Sequence, residues 1–172
     1  MTLEPDPVWT DRYERERERI ERHTDPLAVF HAGSTAIPDL AGKPELDVIA
    51  VYEDLAAVRA AADALVAGDR WSRTDTEEMV VVYHRDPPEG VFLKLHARGD
   101  RGMLDQIVFR DYLRENERAR REYERVKREA AAEHDAFQPY QEAKADTVRR
   151  LVDEAREAGY VENLPRTIRD QS

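Results

Sequence analysis

Apolar positions along this chain change period several times, and each change predicts an element. Over residues 8–23, Trp9, Tyr13 and Ile20 form a thin apolar stripe among alternating Glu and Arg, which predicts a helix with a wide solvated face. Residues 28–32 (AVFHA) are short and β-prone. Gly33-Ser34-Thr35 breaks that pattern, and Pro38 and Pro44 keep residues 35–44 from forming a long helix. Residues 45–52 (ELDVIAVY) have the strongly apolar centre of a strand. Residues 54–67 are alanine-rich and amphipathic, with Asp54 as N-cap and Gly68-Asp69 as the stop.

A polar turn follows, then a strand at 79–84 (MVVVYH), turn chemistry at 86–90 (DPPEG) and a strand at 91–97 (VFLKLHA). The two strands read as a hairpin with a five-residue loop, closed off by Gly99 to Gly102. From about 103 to 158 the spacing is helical: Leu104, Ile107, Val108 and Tyr112 share one face, and Phe137, Tyr140, Thr147, Val148, Leu151 and Val152 another. Pro139 falls in the first turn of the last helix, where its missing N–H costs nothing. The tail from Gly159 holds Pro165 and few apolar residues and is expected to be partly loose. This order predicts an α/β (α+β) fold, a mixed sheet flanked by helices with a helical C-terminal portion. One domain over residues 1–160 and a tail over 161–172 are expected.

Composition narrows the classes. Charged residues make up 37% of the 172 and the net charge is -10, so nucleic acid is disfavoured as a partner unless a local basic patch overrides the field. No stretch approaches the roughly 18 apolar residues of a membrane helix, and the N-terminus lacks the apolar core of a signal peptide. A cytoplasmic protein without membrane contact is expected. With no cysteine, thiolate zinc sites and cysteine nucleophiles are excluded. No Walker P-loop, no GxGxxG and no Ser-His-Asp context is present, and His84 and His134 show no metal-binding spacing.

The informative stretch is HAGSTAIPDLAGKPELDVIAVY, residues 31–52. A Gly-Ser turn at Gly33-Ser34-Thr35 offers backbone N–H groups and hydroxyls to an anion. On a strand, Glu45 and Asp47 point the same way, roughly 6.5–7 Å apart, and two such carboxylates suit Mg²⁺ shared with substrate phosphates. Lys43, just before that strand, is placed to reach an anion. His31 precedes the turn and reads first as a structural hydrogen-bonder. The strand at 91–97 puts Lys94 and His96 on one face; His96 could bind phosphate, ligate a metal or act as an acid/base.

The run His31, Gly33-Ser34-Thr35, Pro38, Leu40-Ala41, Lys43-Pro44 and Asp47 resembles the GrpB family. So do His96, the segment FRDYLRENERARREYERVK at 109–127, and Tyr140 with Lys144, so the resemblance spans about residues 9–155. GrpB proteins are similar in fold to the polymerase-β-like nucleotidyltransferases. The resemblance implies a nucleotidyltransferase-like sheet, a Gly-Ser turn on nucleotide phosphate, carboxylates on the next strand binding Mg²⁺, and Arg110 near the site through its match to the family's FRDYL. The partner implied is an NTP or another phosphorylated small molecule. Two departures matter. The position of Glu45 is usually apolar in the family, and the strand at 91–97 lacks the third carboxylate of active nucleotidyltransferases. Two readings stay open: a metal-dependent nucleotidyltransferase with Asp47 and His96 catalytic, or a noncatalytic nucleotide- or CoA-binding or interaction module.

Overall fold

The computed structural model describes residues 7–37, 45–87, 90–133 and 137–170. Chain order gives α1 (Pro7–His23), β1 (Ala28–Ala32), a short 3-10 turn (Ser34–Ala36), β2 (Glu45–Tyr52), α2 (Leu55–Leu65), β3 (Ser72–Asp75), β4 (Met79–His84), β5 (Gly90–Ala97), α3 (Arg101–Glu115), α4 (Glu117–Glu133), α5 (Phe137–Glu157) and α6 (Arg166–Arg169). The strands form one five-stranded mixed sheet in the order β1-β2-β5-β4-β3. β2 and β5 run parallel at its centre; the other neighbours are antiparallel.

Strand alternation divides the core in two. Leu46, Val48, Ala50 and Tyr52 of β2, Val91, Leu93 and Leu95 of β5, and Val80 and Val82 of β4 face α1 and α2, packing with Ile20, Val58, Ala62 and Leu65. The intervening residues Ile49 and Val51 face the other way, onto Met103, Leu104, Ile107 and Val108 of α3 and Leu151 and Val152 of α5. α2 starts where Asp54 accepts a hydrogen bond from the Ala57 N–H at 2.8 Å, the expected N-cap. α3 starts the same way, with the Asp100 carboxylate accepting from the Met103 N–H at 2.9 Å. Gly102, expected before the helix, lies inside its first turn. Pro139 falls in the first turn of α5, as its chemistry requires.

Two elements depart from the expectations. β3 (Ser72-Arg73-Thr74-Asp75) is an edge strand where the sequence suggested only a polar turn. Its alternation is of polar groups, and it is held by backbone pairing to β4 and by Arg73 bridging Asp63 of α2 and its own Asp75. The segment after Gly159 is not loose over its described length. Leu164 and Ile168 are buried in the α3/α5 core, the Ile168 carbonyl accepts from the Gly99 N–H at 2.7 Å, and the Asp170 carbonyl accepts from Arg98 Nε at 2.7 Å. Among the described residues, no helix is long and apolar enough to cross a membrane.

Candidate functional site on the open part of the sheet

The sheet register lines up two rows of residues across the face opposite α1 and α2. One row runs Ala32, Asp47, Phe92, Tyr83, Ser72; the next runs Phe30, Ile49, Lys94, Val81, Thr74. α3 and α5 cover the β1 end of these rows, where Ala32, Phe30 and Ile49 pack. Tyr83, Phe92, Val81 and Lys94 belong to neither core cluster and are half-exposed. The charged part of the face lies at the boundary between the covered and uncovered regions.

Gly33 and Asp47 meet there. Gly33 has φ +71°, a backbone conformation that side chains rarely adopt. A Cβ built on it would collide with the Asp47 side chain, 3.0 Å from its Cγ and 3.1 Å from its Cβ. Glycine is therefore required twice, for the turn and for the approach of the carboxylate to bare backbone. Asp47 Oδ1 also lies 3.4 Å from Lys94 Nζ, with the two side chains 23% and 28% exposed. Both groups thus keep contact with solvent. Ser34 is half-buried beside them, and Gly33 is exposed.

The turn that carries Gly33 is fixed from two sides. On the α1 side, His31 stacks on Tyr13 with ring centroids 5.1 Å apart, and its Nε2 lies 2.9 Å from Thr35 Oγ1. Burial, helped by the charges of Arg114 and Arg110, holds the His31 pKa down to about 4, so the ring is neutral near pH 7. On the other side, Arg110 Nη1 donates to the His31 carbonyl at 3.1 Å, and Arg114 Nε donates to the Ala36 carbonyl at 2.7 Å. These arginines, one helical turn apart on α3, grip the chain just before and just after the turn.

Each sequence-derived candidate among the described residues has a definite place. Gly33, Ser34 and Asp47 come together. Glu45 shares the Asp47 side of β2 and is half-buried. Thr35 is buried and bonded to His31, so its hydroxyl serves the turn. Arg110 is occupied by Asp111 through Nε and Nη2 (2.9 and 2.6 Å), by the His31 carbonyl, and by the Phe30 ring beneath it at 5.4 Å. His96 follows Lys94 on the same side of β5 but is 2% exposed, with Nδ1 3.0 Å from Asp100 Oδ2. Burial lowers its pKa, Asp100 opposes that shift, and Lys94 adds to it. Its Nε2 has no hydrogen-bond partner among the described residues. Lys43 lies outside the described residues.

Sequence reasoning gave no role to Lys94, Arg114, Tyr83 or Phe92. Lys94 carried a signal, a cation inside an otherwise apolar strand. What joins it to Asp47 is the parallel register, which local pattern does not encode. Were a single Mg²⁺ held here, Asp47 and Glu45, on one side of β2, are the residues that would supply its oxygen ligands. They do not suit a two-metal arrangement, because β5 presents Lys94 rather than a third carboxylate, and among the described residues no three His, Asp or Glu cluster as a metal site.

Similarity to known proteins agrees with this architecture. The chain is 31% identical over 145 residues to a UPF0157 protein of Streptomyces coelicolor, covering 83% of this chain and 77% of the relative. It is 31% identical over 157 residues to a UPF0157 protein of Halalkalibacterium halodurans, covering 89% and 80%. Among solved structures, GrpB from Enterococcus faecalis superimposes with a TM-score of 0.77 at 22% identity, covering 92% of this chain and 98% of that one. The poly(A) polymerase complex GLD-2–GLD-3 gives a TM-score of 0.51 at 12% identity over 73% of this chain and 45% of the polymerase chain, a likeness of fold alone. The model of the family described as GrpB protein matches residues 2–154, which contain every strand of the sheet together with the Gly33 turn and Asp47, and the chain belongs to the GrpB family.

Proposed function

We propose that the Gly33–Asp47–Lys94 surface binds the phosphate portion of an NTP or a related phosphorylated small molecule, in a cytoplasmic protein. The observation that carries this reading is the close approach of the Asp47 carboxylate to the Gly33 backbone beside the Lys94 ammonium. The turn supplies N–H groups and the Ser34 hydroxyl, and Lys94 supplies a point cation. Mg²⁺ would be held by Asp47, with Glu45 two positions earlier, and by the ligand's own phosphates; when bound it neutralises charge on the transferring phosphoryl group. His31, Thr35, Arg110 and Arg114 position the turn, and His96 with Asp100 braces the end of β5.

The finer reading is nucleotidyl transfer. An acceptor hydroxyl attacks the α-phosphate and gives up its proton to water, the bond from the α-phosphorus to the oxygen bridging to the β-phosphate breaks, and pyrophosphate leaves. The second reading, a noncatalytic nucleotide- or CoA-binding module, is favoured by one observation: the cation Lys94 faces Asp47 from β5, where active nucleotidyltransferases present an acid.

Thermal stabilisation of the folded protein by ATP, GTP, CTP and CoA, each with and without Mg²⁺, tests both. Metal-dependent stabilisation by an NTP, lost in Asp47→Ala, supports the first reading, and pyrophosphate release assigns transfer. Metal-independent stabilisation by CoA supports the second. No shift with any of these ligands rejects the phosphate site.

A further inference from the structure

The open face carries a second feature that the phosphate reading leaves unused. Tyr83 and Phe92 are register partners across β4 and β5, with rings nearly parallel (5°) and centroids 5.6 Å apart. Both are half-exposed, and neither packs into either core cluster. The exposed Arg85 places its guanidinium over both, 5.7 Å from the Tyr83 ring centre and 5.2 Å from that of Phe92. Cross-strand aromatic pairs do stabilise hairpins. Such a role needs neither a guanidinium across both rings nor a place beside a charged site.

We infer that Tyr83, Phe92 and Arg85 form the seat for the planar heteroaromatic ring of the ligand whose phosphates lie at Gly33, Asp47 and Lys94. The inference rests on the phosphate reading above and names the ligand's class as a nucleotide rather than a simple phosphorylated metabolite. Phe92 is the register partner of Asp47, so one strand spacing, about 4.8 Å, separates the carboxylate strand from the first ring, and Tyr83 lies one spacing further. A nucleotide's sugar bridges that kind of separation. The rings offer apolar π surface, Arg85 a flat cation that stacks on or hydrogen-bonds to a base, and Lys94, one residue pair along β5 on the same side, the adjoining charge.

The probes are ATP and inorganic tripolyphosphate, titrated calorimetrically into the full chain with Mg²⁺. ATP is expected to bind about tenfold or more tightly than tripolyphosphate, the scale of one base stacked on aromatic side chains. The double variant Tyr83→Leu with Phe92→Leu should bring ATP down to the affinity of tripolyphosphate while leaving tripolyphosphate unchanged. Arg85→Ala alters only an exposed side chain; it should weaken ATP about threefold and leave tripolyphosphate as it was, giving a readout even where the double variant fails to fold. Equal affinity of the two probes in the unmodified protein overturns the base seat and leaves the phosphate site standing. So does an equal loss of both probes in Arg85→Ala. Binding of neither probe to folded protein overturns both.

Discussion

The two faces of the sheet are made by the same strands and obey different rules. Toward α1 and α2, β2 and β5 present Leu46, Val48, Leu93 and Leu95, none more than 1% exposed. On the other side the same strands bury Ile49 and Val51 under α3 and α5, and beyond that cover they present Glu45, Asp47, Phe92 and Lys94, all half-exposed. Because side chains alternate strictly, a strand can serve as core and as site without compromise between the two. Burial on the apolar face, together with the cover of α3 and α5 over Ile49 and Val51, holds the sheet, so the uncovered part of the other face keeps Asp47 and Lys94 in contact with solvent. If this division holds, changes on the first face should move stability and leave ligand affinity alone. Changes on the second should do the reverse, and the turn that borders both should do both.

The largest effect belongs to the closed face. Leu93→Ala should lower the unfolding free energy by about 3 kcal/mol, read from urea denaturation, with the affinity of the folded fraction for tripolyphosphate unchanged; a loss under about 1 kcal/mol would mean that the core lies elsewhere. His31, on the same side, gives a pH signature of similar size. Its value of about 4 in the folded protein lies below the 6.5 of a free histidine. As pH falls, the unfolded chain takes up the proton first. Stability is therefore full above about pH 6.5 and declines down to about pH 4, by about 3 kcal/mol at 1.36 kcal/mol per unit. The pH dependence of stability in His31→Gln should be flatter over that window, and an unchanged profile would remove His31 as its source.

The turn comes next. Gly33→Ala forces a side chain into a positive-φ position and against Asp47, and should cost about 1–3 kcal/mol while abolishing stabilisation by phosphate ligands in a thermal melt. Retained ligand stabilisation would dissociate the turn from the site. The smallest stability effect belongs to the open face. Lys94→Ala should change stability by less than about 1 kcal/mol and weaken tripolyphosphate about tenfold or more by calorimetry. A large stability loss with unaltered affinity would make the pair structural and erase the contrast between the faces.

The closed face was the more legible of the two from sequence. β2 has the predicted bounds, Glu45–Tyr52, and α2 starts at the predicted cap, because apolar alternation and an Asp before an alanine-rich run are local signals. β3 escaped because Ser-Arg-Thr-Asp carries no apolar alternation; its pairing with β4 creates the strand. Leu164 and Ile168 escaped because two isolated apolar residues around Pro165 show no period, and they are ordered by docking into a core built by α3 and α5. At the candidate site the motif pointed to Gly33 with Asp47, since glycine and acid types are informative by themselves. The pairing of Asp47 with Lys94, and of Tyr83 with Phe92, depends on how three strands are aligned, which only the assembled sheet specifies.

Arg110 and Arg114 fasten the Gly33 turn at carbonyls 31 and 36, and both rise from α3. α3 is in turn anchored at its start by Asp100, beside the Gly99 N–H that ties this corner to the Ile168 carbonyl near the chain's far end. The loop's pose is therefore set in part by a helix, and that helix takes part of its bearing from residues 164–170. Trimming those residues would loosen the Gly33 turn from a distance, much as slackening a tent's guy-rope shifts a pole it never touches.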